Sequence, residues 1–309
     1  MKKLFLPLVL FALLLILGAC NSESTTEEVA DAAETDKAPE TITYESESGP
    51  IEVPADPQRV VMLTSYAGDA MSLDVPLVGV TSWAKNNPRF EEELADVEEV
   101  AETDLEKIIE LEPDLIIGAS TTNNIDKLSE IAPTVTFTYG NVGYLEQHLE
   151  IGKVLNKEDE AQAWITDFQE RAQQAGEEIR AEIGEDTTVS VIENFDKQIY
   201  VFGDNWGRGT EILYQEMKLK MPAKVEEMAL ADGYYMLSQE VLPEYMGDYV
   251  IFSKDSTQDN SFQETDLYQN TPAAQNGQIF EADAKEFYFN DPISLEYQLE
   301  FFIENFLGE

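Results

Sequence analysis

KEDEAQAWITDFQERAQQAGEEIRAEIG, residues 157–184, carries Ala161, Trp164, Ile165, Phe168, Ala172, Ala175 and Ile179 at helical spacing for more than twenty residues. A flexible hinge would be rich in glycine and serine. This stretch has one glycine inside it, Gly176, with Gly184 at its end, and predicts a long stiff helix in the middle of the chain. What lies on either side decides what that helix joins.

On its N-terminal side, RVVMLT (59–64), PLVGVT (76–81), PDLIIG (113–118) and PTVTFT (133–138) are short apolar runs rich in β-branched residues, with helix-like segments between them. That alternation predicts α/β units around a mostly parallel sheet. On the C-terminal side, TTVSVIE (187–193), QIYVFG (198–203), DYVIFS (248–253) and GQIFEA (277–282) repeat the pattern, the first two as a hairpin about Asp196. ISLEYQLEFFIENFL closes the chain as an amphipathic helix, with Leu295, Leu299, Phe302 and Phe306 on one face. The halves also echo each other in detail. TDLEKIIELEPDLII (103–117) and LSQEVLPEYMGDYVI (237–251) align at a shift of 134 residues, setting Glu106 on Glu240, Glu110 on Glu244 and Asp114 on Asp248. The expected fold is α/β: two Rossmann-like lobes joined by one long helix, with a ligand cleft between them.

The chain begins with Lys2 and Lys3, an apolar run Leu4–Leu17, and Leu17-Gly18-Ala19-Cys20. Residues 1–19 read as a secretory signal. Cys20, the single cysteine, stands where a bacterial lipobox places its lipidated residue. The acidic, Ser/Thr-rich stretch that follows reads as a disordered tether. The expected organisation is signal 1–19, lipidated cysteine and tether 20–45, first lobe 46–153, linking helix 154–185 and second lobe 186–309. The protein is thus expected on the extracytoplasmic face of a cell membrane, lipid-anchored and monomeric, in a Gram-positive-type bacterium.

Sixty-two acidic against 19 basic residues, a formal net charge of −43, argue against nucleic-acid binding. One histidine, His148, serves the whole chain, and no Gly-x-Ser-x-Gly elbow is present. A zinc site built on several His or Cys ligands is therefore excluded. His148, in YLEQHLEIGKVL, reads as a helix-flank residue with surface or structural duty, or as an axial ligand if the cargo were haem. No catalytic residue, intrinsic cofactor or directly bound metal is expected, although a carboxylate-based extracytoplasmic hydrolase remains a second class.

The lipobox, DPQRVVML, DLEKIIELEPDLIIG, the long helix, the loop GDNWGRG (203–209) and FNDPISLEYQLEFF together resemble the bacterial iron-siderophore solute-binding lipoproteins of ABC importers. These are the class III periplasmic-binding-protein-like receptors, with two α/β lobes joined by a rigid helix. The Trp-Gly-Arg loop resembles the hydroxamate branch, whereas DLEKI…PDLII is shared with haem and cobalamin binders. The resemblance implies capture of a ferric siderophore and its delivery to an ABC permease. It carries the ligand-contacting tryptophan and arginine of the loop onto Trp206 and Arg208, and its site positions favour Tyr139 and Tyr200. Arg208 would donate to hydroxamate oxygens while Trp206 packs on the organic arms, and Gly203, Gly207 and Gly209 would allow close backbone approach.

Strand-end residues add Tyr66, Trp83, Lys85, Tyr288 and Phe289 as further cleft candidates. Relatives usually carry a tryptophan near Phe289. A triscatecholate trianion calls for several cations, and only Arg208, Lys85 and Arg89 can be gathered here. A hydroxamate or mixed hydroxamate–citrate complex is favoured, with haem or cobalamin as the alternative. In the family one glutamate on each lobe docks the permease, which implies Glu106 and Glu240; Thr103 with Glu106 also reads as a capping box.

Overall fold

The computed structural model describes residues 40–308; the signal, Cys20 and most of the tether lie outside them. The first element is one that the sequence pattern did not suggest. Thr41–Ser46 (β1) and Gly49–Pro54 (β2) form an antiparallel hairpin. The strand therefore begins inside the stretch assigned to the tether. Its polar face hides the signal, but Tyr44 and Val53 point into the first lobe's core. Tyr44 packs 6.3 Å from Phe137 and donates to Glu150 at 2.8 Å.

Val60–Met62 (β3), Leu77–Val80 (β4), Glu98–Glu99 (β5), Leu115–Ala119 (β6) and Thr134–Phe137 (β7) form an all-parallel sheet in the order β5-β4-β3-β6-β7. Its central strand β3 is buried along its whole length and β6 nearly so, as helices on both faces of a parallel sheet require. The second sheet contains Val189–Phe195 (β8), Gln198–Phe202 (β9), Tyr234–Leu237 (β10), Tyr249–Lys254 (β11) and Ile279–Asp283 (β12), in the order β10-β9-β8-β11-β12. β8, β11 and β12 run parallel, while β9 and β10 are antiparallel neighbours. The β8–β9 turn places Asp196 and Lys197 at φ of 46° and 64°, the left-handed pair that suits a two-residue hairpin.

The 134-residue echo has a structural meaning. Asp114 accepts the backbone N–H groups of Gln58 and Arg59 at 2.7 and 3.0 Å, pinning the entry to β3 beside β6. Asp248 accepts the N–H and hydroxyl of Thr188, both at 2.8 Å, pinning the entry to β8 beside β11. Each carboxylate thus joins two adjacent parallel strands of its lobe at the same place. Asp114→Ala and Asp248→Ala are each expected to cost about 1 kcal/mol, since the freed donors sit near water, and to add in the double variant. Urea midpoints of the three variants check this; a strongly non-additive double variant would show that the lobes share one weak point.

The linking helix runs from Glu158 to Ile183, with three acids in its first turn and Arg180 in its last, matching the helix dipole. Ala161, Ile165, Phe168, Ala172, Ala175 and Ile179 form its buried stripe. Gly176 allows a backbone-to-backbone approach, because a Cβ there would lie 2.4 Å from Cα of Met217. Arg171 and Trp164 both hold Glu296 of the terminal helix Pro292–Leu307.

That terminal helix is reached by a second crossing between lobes. Phe287 belongs to the second lobe's core, Phe289 is buried in the first lobe's core, and Leu295 onward returns to the second. At the crossing, Asp291 caps the terminal helix, accepting from the N–H of Ile293 and Ser294 and from the Ser294 hydroxyl.

Candidate ligand-binding cleft

β8 carries Glu193, fully buried and the one charged residue of that strand. β9 leaves the sheet at Phe202 and enters the loop 203–210. There Gly207, Arg208 and Gly209 take φ values of 68°, 60° and 78° in succession. For a non-glycine residue such as Arg208 this geometry costs roughly 1–2 kcal/mol, and the loop is held by its surroundings. Glu211 accepts from the Gly207 N–H at 2.9 Å, and Phe287 accepts from the Arg208 N–H. Burial raises the Glu211 carboxyl above its ordinary range, with these hydrogen bonds opposing.

The two glycines serve packing within the protein, which corrects the expectation that they admit a ligand. A Cβ on Gly207 would lie 2.5 Å from the Tyr288 carbonyl oxygen, and one on Gly209 would lie 2.4 Å from Cζ of Phe302.

The Arg208 side chain is thereby fixed. Its Nε donates to Glu193 at 2.7 Å and its Nη1 to the Trp206 carbonyl at 3.0 Å. Its guanidinium carbon lies 4.8 and 4.7 Å from the ring centres of Phe202 and Tyr288. Burial, and then the charge of Glu193, raise the Tyr288 phenol above its usual range, so it stays a neutral hydroxyl.

Aromatic contacts then bridge the lobes at two places. Tyr288 stacks on Trp83 at 5.0 Å and 20°. Trp206 faces Tyr139 across the cleft at 5.7 Å while its Nε1 donates to the Asp232 carbonyl. Trp83, Tyr139 and Trp206 are 41%, 53% and 36% exposed, so three large apolar rings face water here. Such exposure marks a surface made for contact. Tyr200, half-buried, packs against Phe202 and against Tyr234, which in turn meets the Trp206 edge.

Other sequence candidates are turned elsewhere. Phe289 is a core residue, 4% exposed and 5.4 Å from Phe90; its backbone runs into the first lobe and takes the ring with it. Tyr66 is also buried, edge-on to Phe137, and reaches open space only as part of a cavity wall. Lys85 donates to the Leu94 carbonyl of its own lobe. Arg89 pairs with Glu286 at 2.8 Å and lies over Tyr297, so it ties the lobes together.

His148 is buried, with Nδ1 3.0 Å from Asp69 and its ring edge-on to Trp164. It is structural and not on the surface, held between Asp69 and Trp164.

Glu106 is exposed in the first turn of the helix Leu105–Glu110. The capping box does not form: the cap residue is Asp104, whose carboxylate accepts from the Ala101 N–H. Glu240 is exposed in a turn before the short helix Leu242–Glu244, not at a helix start. A hydrogen bond from Ser238 holds its carboxyl below the usual range.

Glu193, Phe202, Tyr234 and Phe195, whose ring stands edge-on to Tyr288 at 6.3 Å, were not picked out from sequence. The one available signal was a lone acid inside the buried strand VSVIENF, which asks for a cationic partner.

A family model described as periplasmic binding protein matches residues 60–286. The chain belongs to that family. The iron(3+)-hydroxamate-binding protein FhuD of Bacillus subtilis (strain 168) is 36% identical over 304 residues, spanning 96% of this chain and 95% of that periplasmic binding protein. The iron(3+)-hydroxamate-binding protein YxeB of the same organism is 33% identical over 308 residues, covering 97% and 95%. Among solved periplasmic binding proteins, FhuD2 from Staphylococcus aureus with bound ferrioxamine B superposes with a TM-score of 0.78 at 33% identity, covering 82% of this chain and 99% of that one.

Proposed function

We propose that this chain is an extracytoplasmic receptor that captures a ferric hydroxamate siderophore and passes it to an ABC permease. The observation that carries the reading is the fixed guanidinium of Arg208 against the half-buried ring of Tyr288 and near the exposed rings of Trp206, Tyr139 and Trp83, where the two lobes meet. A ferric trishydroxamate presents oxygens around the metal and an apolar periphery. One oriented cation and a set of aromatic walls match it, whereas a trianion would need more positive charge. Lys85 and Arg89 are committed elsewhere, which favours hydroxamate or mixed hydroxamate–citrate over catecholate. The similarity to proteins named for iron(3+)-hydroxamate binding supports the same ligand class.

In this reading Trp206, Arg208, Tyr139, Tyr200, Trp83 and Tyr288 contact the ligand, and Tyr66 contributes a wall. Glu106 and Glu240 present carboxylates to the permease, one from each lobe. Lipid on Cys20 anchors a monomer, and iron is held by the siderophore and not by the protein. The chemistry is binding without turnover.

The test is tryptophan fluorescence of residues 21–309 during titration with a ferric trishydroxamate, a ferric triscatecholate and ferric citrate. Saturable quenching by the hydroxamate at submicromolar concentration is expected, weakened roughly tenfold or more in Trp206→Ala. Absence of saturation with all three sinks the siderophore assignment.

A further inference from the structure

The turn between β1 and β2 carries Glu47, whose side chain leaves its own hairpin and lies against the stretch that follows β7. Residues 138–141 there form a four-residue turn. The Asn141 N–H donates to the Thr138 carbonyl at 3.1 Å, and Gly140 takes a φ of 74°, as the third residue of a type II turn does. The second residue of that turn is Tyr139, 53% exposed, whose ring stands 5.7 Å from the ring of Trp206.

Glu47 holds this turn at both ends. Its Oε1 accepts from the Thr138 N–H at 3.1 Å and from the Asn141 side-chain amide at 3.2 Å, and its Oε2 accepts from the Thr138 hydroxyl at 2.6 Å. The Thr138 hydroxyl above all holds the Glu47 carboxyl below its usual range, with burial opposing, so the clamp is charged at neutral pH. Hydrogen bonds to an ionised acceptor are about twice as strong as neutral ones. Among the described residues, the other side chain that hydrogen-bonds to this turn is Ser120, whose hydroxyl lies 2.8 Å from that of Thr138. The hairpin does not need Glu47 for its own attachment, because Tyr44 and Val53 already seat it in the core and Tyr44 donates to Glu150. What the three bonds fix is the corner that presents Tyr139.

We infer that Glu47 is a positioning residue for the cleft: it sets Tyr139 opposite Trp206, and the hairpin 41–54 thereby belongs to the binding apparatus. The inference rests on the proposed siderophore function and adds to it a residue from an element that the sequence reads partly as tether. Without Glu47 the turn keeps its glycine and its internal hydrogen bond but loses the outer hold on both ends.

One ferric trishydroxamate is titrated into the wild-type chain, Glu47→Ala, Glu47→Gln, Tyr139→Ala and the double variant Glu47→Ala with Tyr139→Ala. Glu47→Ala is expected to weaken binding about fivefold and Tyr139→Ala about tenfold. The double variant is expected to match Tyr139→Ala within about twofold, because Glu47 acts through that ring. Losses that simply multiply overturn the positioning role. Glu47→Gln removes the same charge but keeps the clamp: its Oε1 still accepts from the Thr138 N–H and the Asn141 amide. Its Nε2 donates to the Thr138 hydroxyl, whose own hydrogen turns to Ser120. This variant is expected to recover most of the affinity, to within about twofold of the wild type. A glutamine variant as weak as the alanine one makes the effect one of charge and overturns the clamp.

A second measurement needs no ligand. Backbone amide hydrogen exchange over residues 138–143 is expected to run about tenfold faster in Glu47→Ala and close to wild type in Glu47→Gln. Unchanged exchange in Glu47→Ala overturns the clamp, whatever binds. A wild-type chain that binds no ferric siderophore overturns the function proposed above, a distinct result, and the exchange rates still decide the clamp.

Discussion

Arg208→Ala is expected to cost the protein about 3 kcal/mol of stability as well as its ligand. The reason lies on the far side of the side chain from the cleft. Glu193 is fully buried in β8, one of its oxygens is held by Arg208 Nε at 2.7 Å, and the other has no partner. Removing the guanidinium leaves a charge in the second lobe's sheet with nothing to balance it, and breaking such a pair from one side is far worse than never having it. The aromatic clamp of Phe202 and Tyr288 loses its filling at the same time.

Ferric hydroxamate affinity is expected to fall about 100-fold, the scale of a central arginine anchor. The two losses are separable. Arg208→Met with Glu193→Gln carries no buried charge and is expected to regain most of the stability while staying deficient in binding. Urea denaturation gives the first quantity and ligand titration the second. If Arg208→Ala melts with the wild type, Glu193 does not depend on it and this account of the loop is wrong.

The second large effect concerns pH. Asp291 is 2% exposed at the lobe crossing, beside Asp69, which is itself buried against His148. Burial first, then the charge of Asp69, push the Asp291 carboxyl up to about 7, while its Ser294 hydrogen bonds oppose the shift. Burial also raises Asp69, with His148 opposing.

A carboxyl whose folded pKa lies above its unfolded value binds its proton more tightly in the native state. Its contribution is full below about pH 4 and is lost as pH rises towards 7, by on the order of 4 kcal/mol for Asp291. Asn caps a helix about as well as Asp, so Asp291→Asn should retain the fold and flatten this dependence. Urea midpoints at pH 4.5, 6 and 8 are expected to converge at low pH and separate at pH 8, with the variant the more stable. Surface acids repel in both proteins and cancel in the comparison. Parallel curves would rule out Asp291 as the titrating group.

The sequence reading succeeded where burial is continuous or periodic. The runs at 59–64 and 113–118 are buried on both faces, and the stripe from Ala161 to Ile179 follows one helix face. It failed where one face carries most of the residues. β1 buries only Tyr44 fully, with Ile42 half-buried beside it, so TITYES reads as polar linker. β10 is a short edge strand whose tyrosine and methionine face outward.

At the site, Trp206 and Arg208 were legible because the loop GDNWGRG resembles the hydroxamate branch of the siderophore-binding family. Glu193 was not, since its importance depends on a neighbour fifteen residues away and on complete burial. The buried Asp69, His148 and Asp291 come from three distant segments, and no local pattern announces their meeting. Phe289 looked like a cleft residue because its sequence position follows a strand end; the crossing of the chain into the other lobe puts it elsewhere.

That crossing has a mechanical consequence. A body hinged at one point can swing about any axis through it, but a body attached at two points can only rock about the line between them. The linking helix is one attachment and the segment from Phe287 to Asp291 is the other. The lobes thus keep a single cheap rotation, with twisting and sideways shear blocked. How long a guest stays is then governed by the contacts it makes in the cleft and by that one rotation.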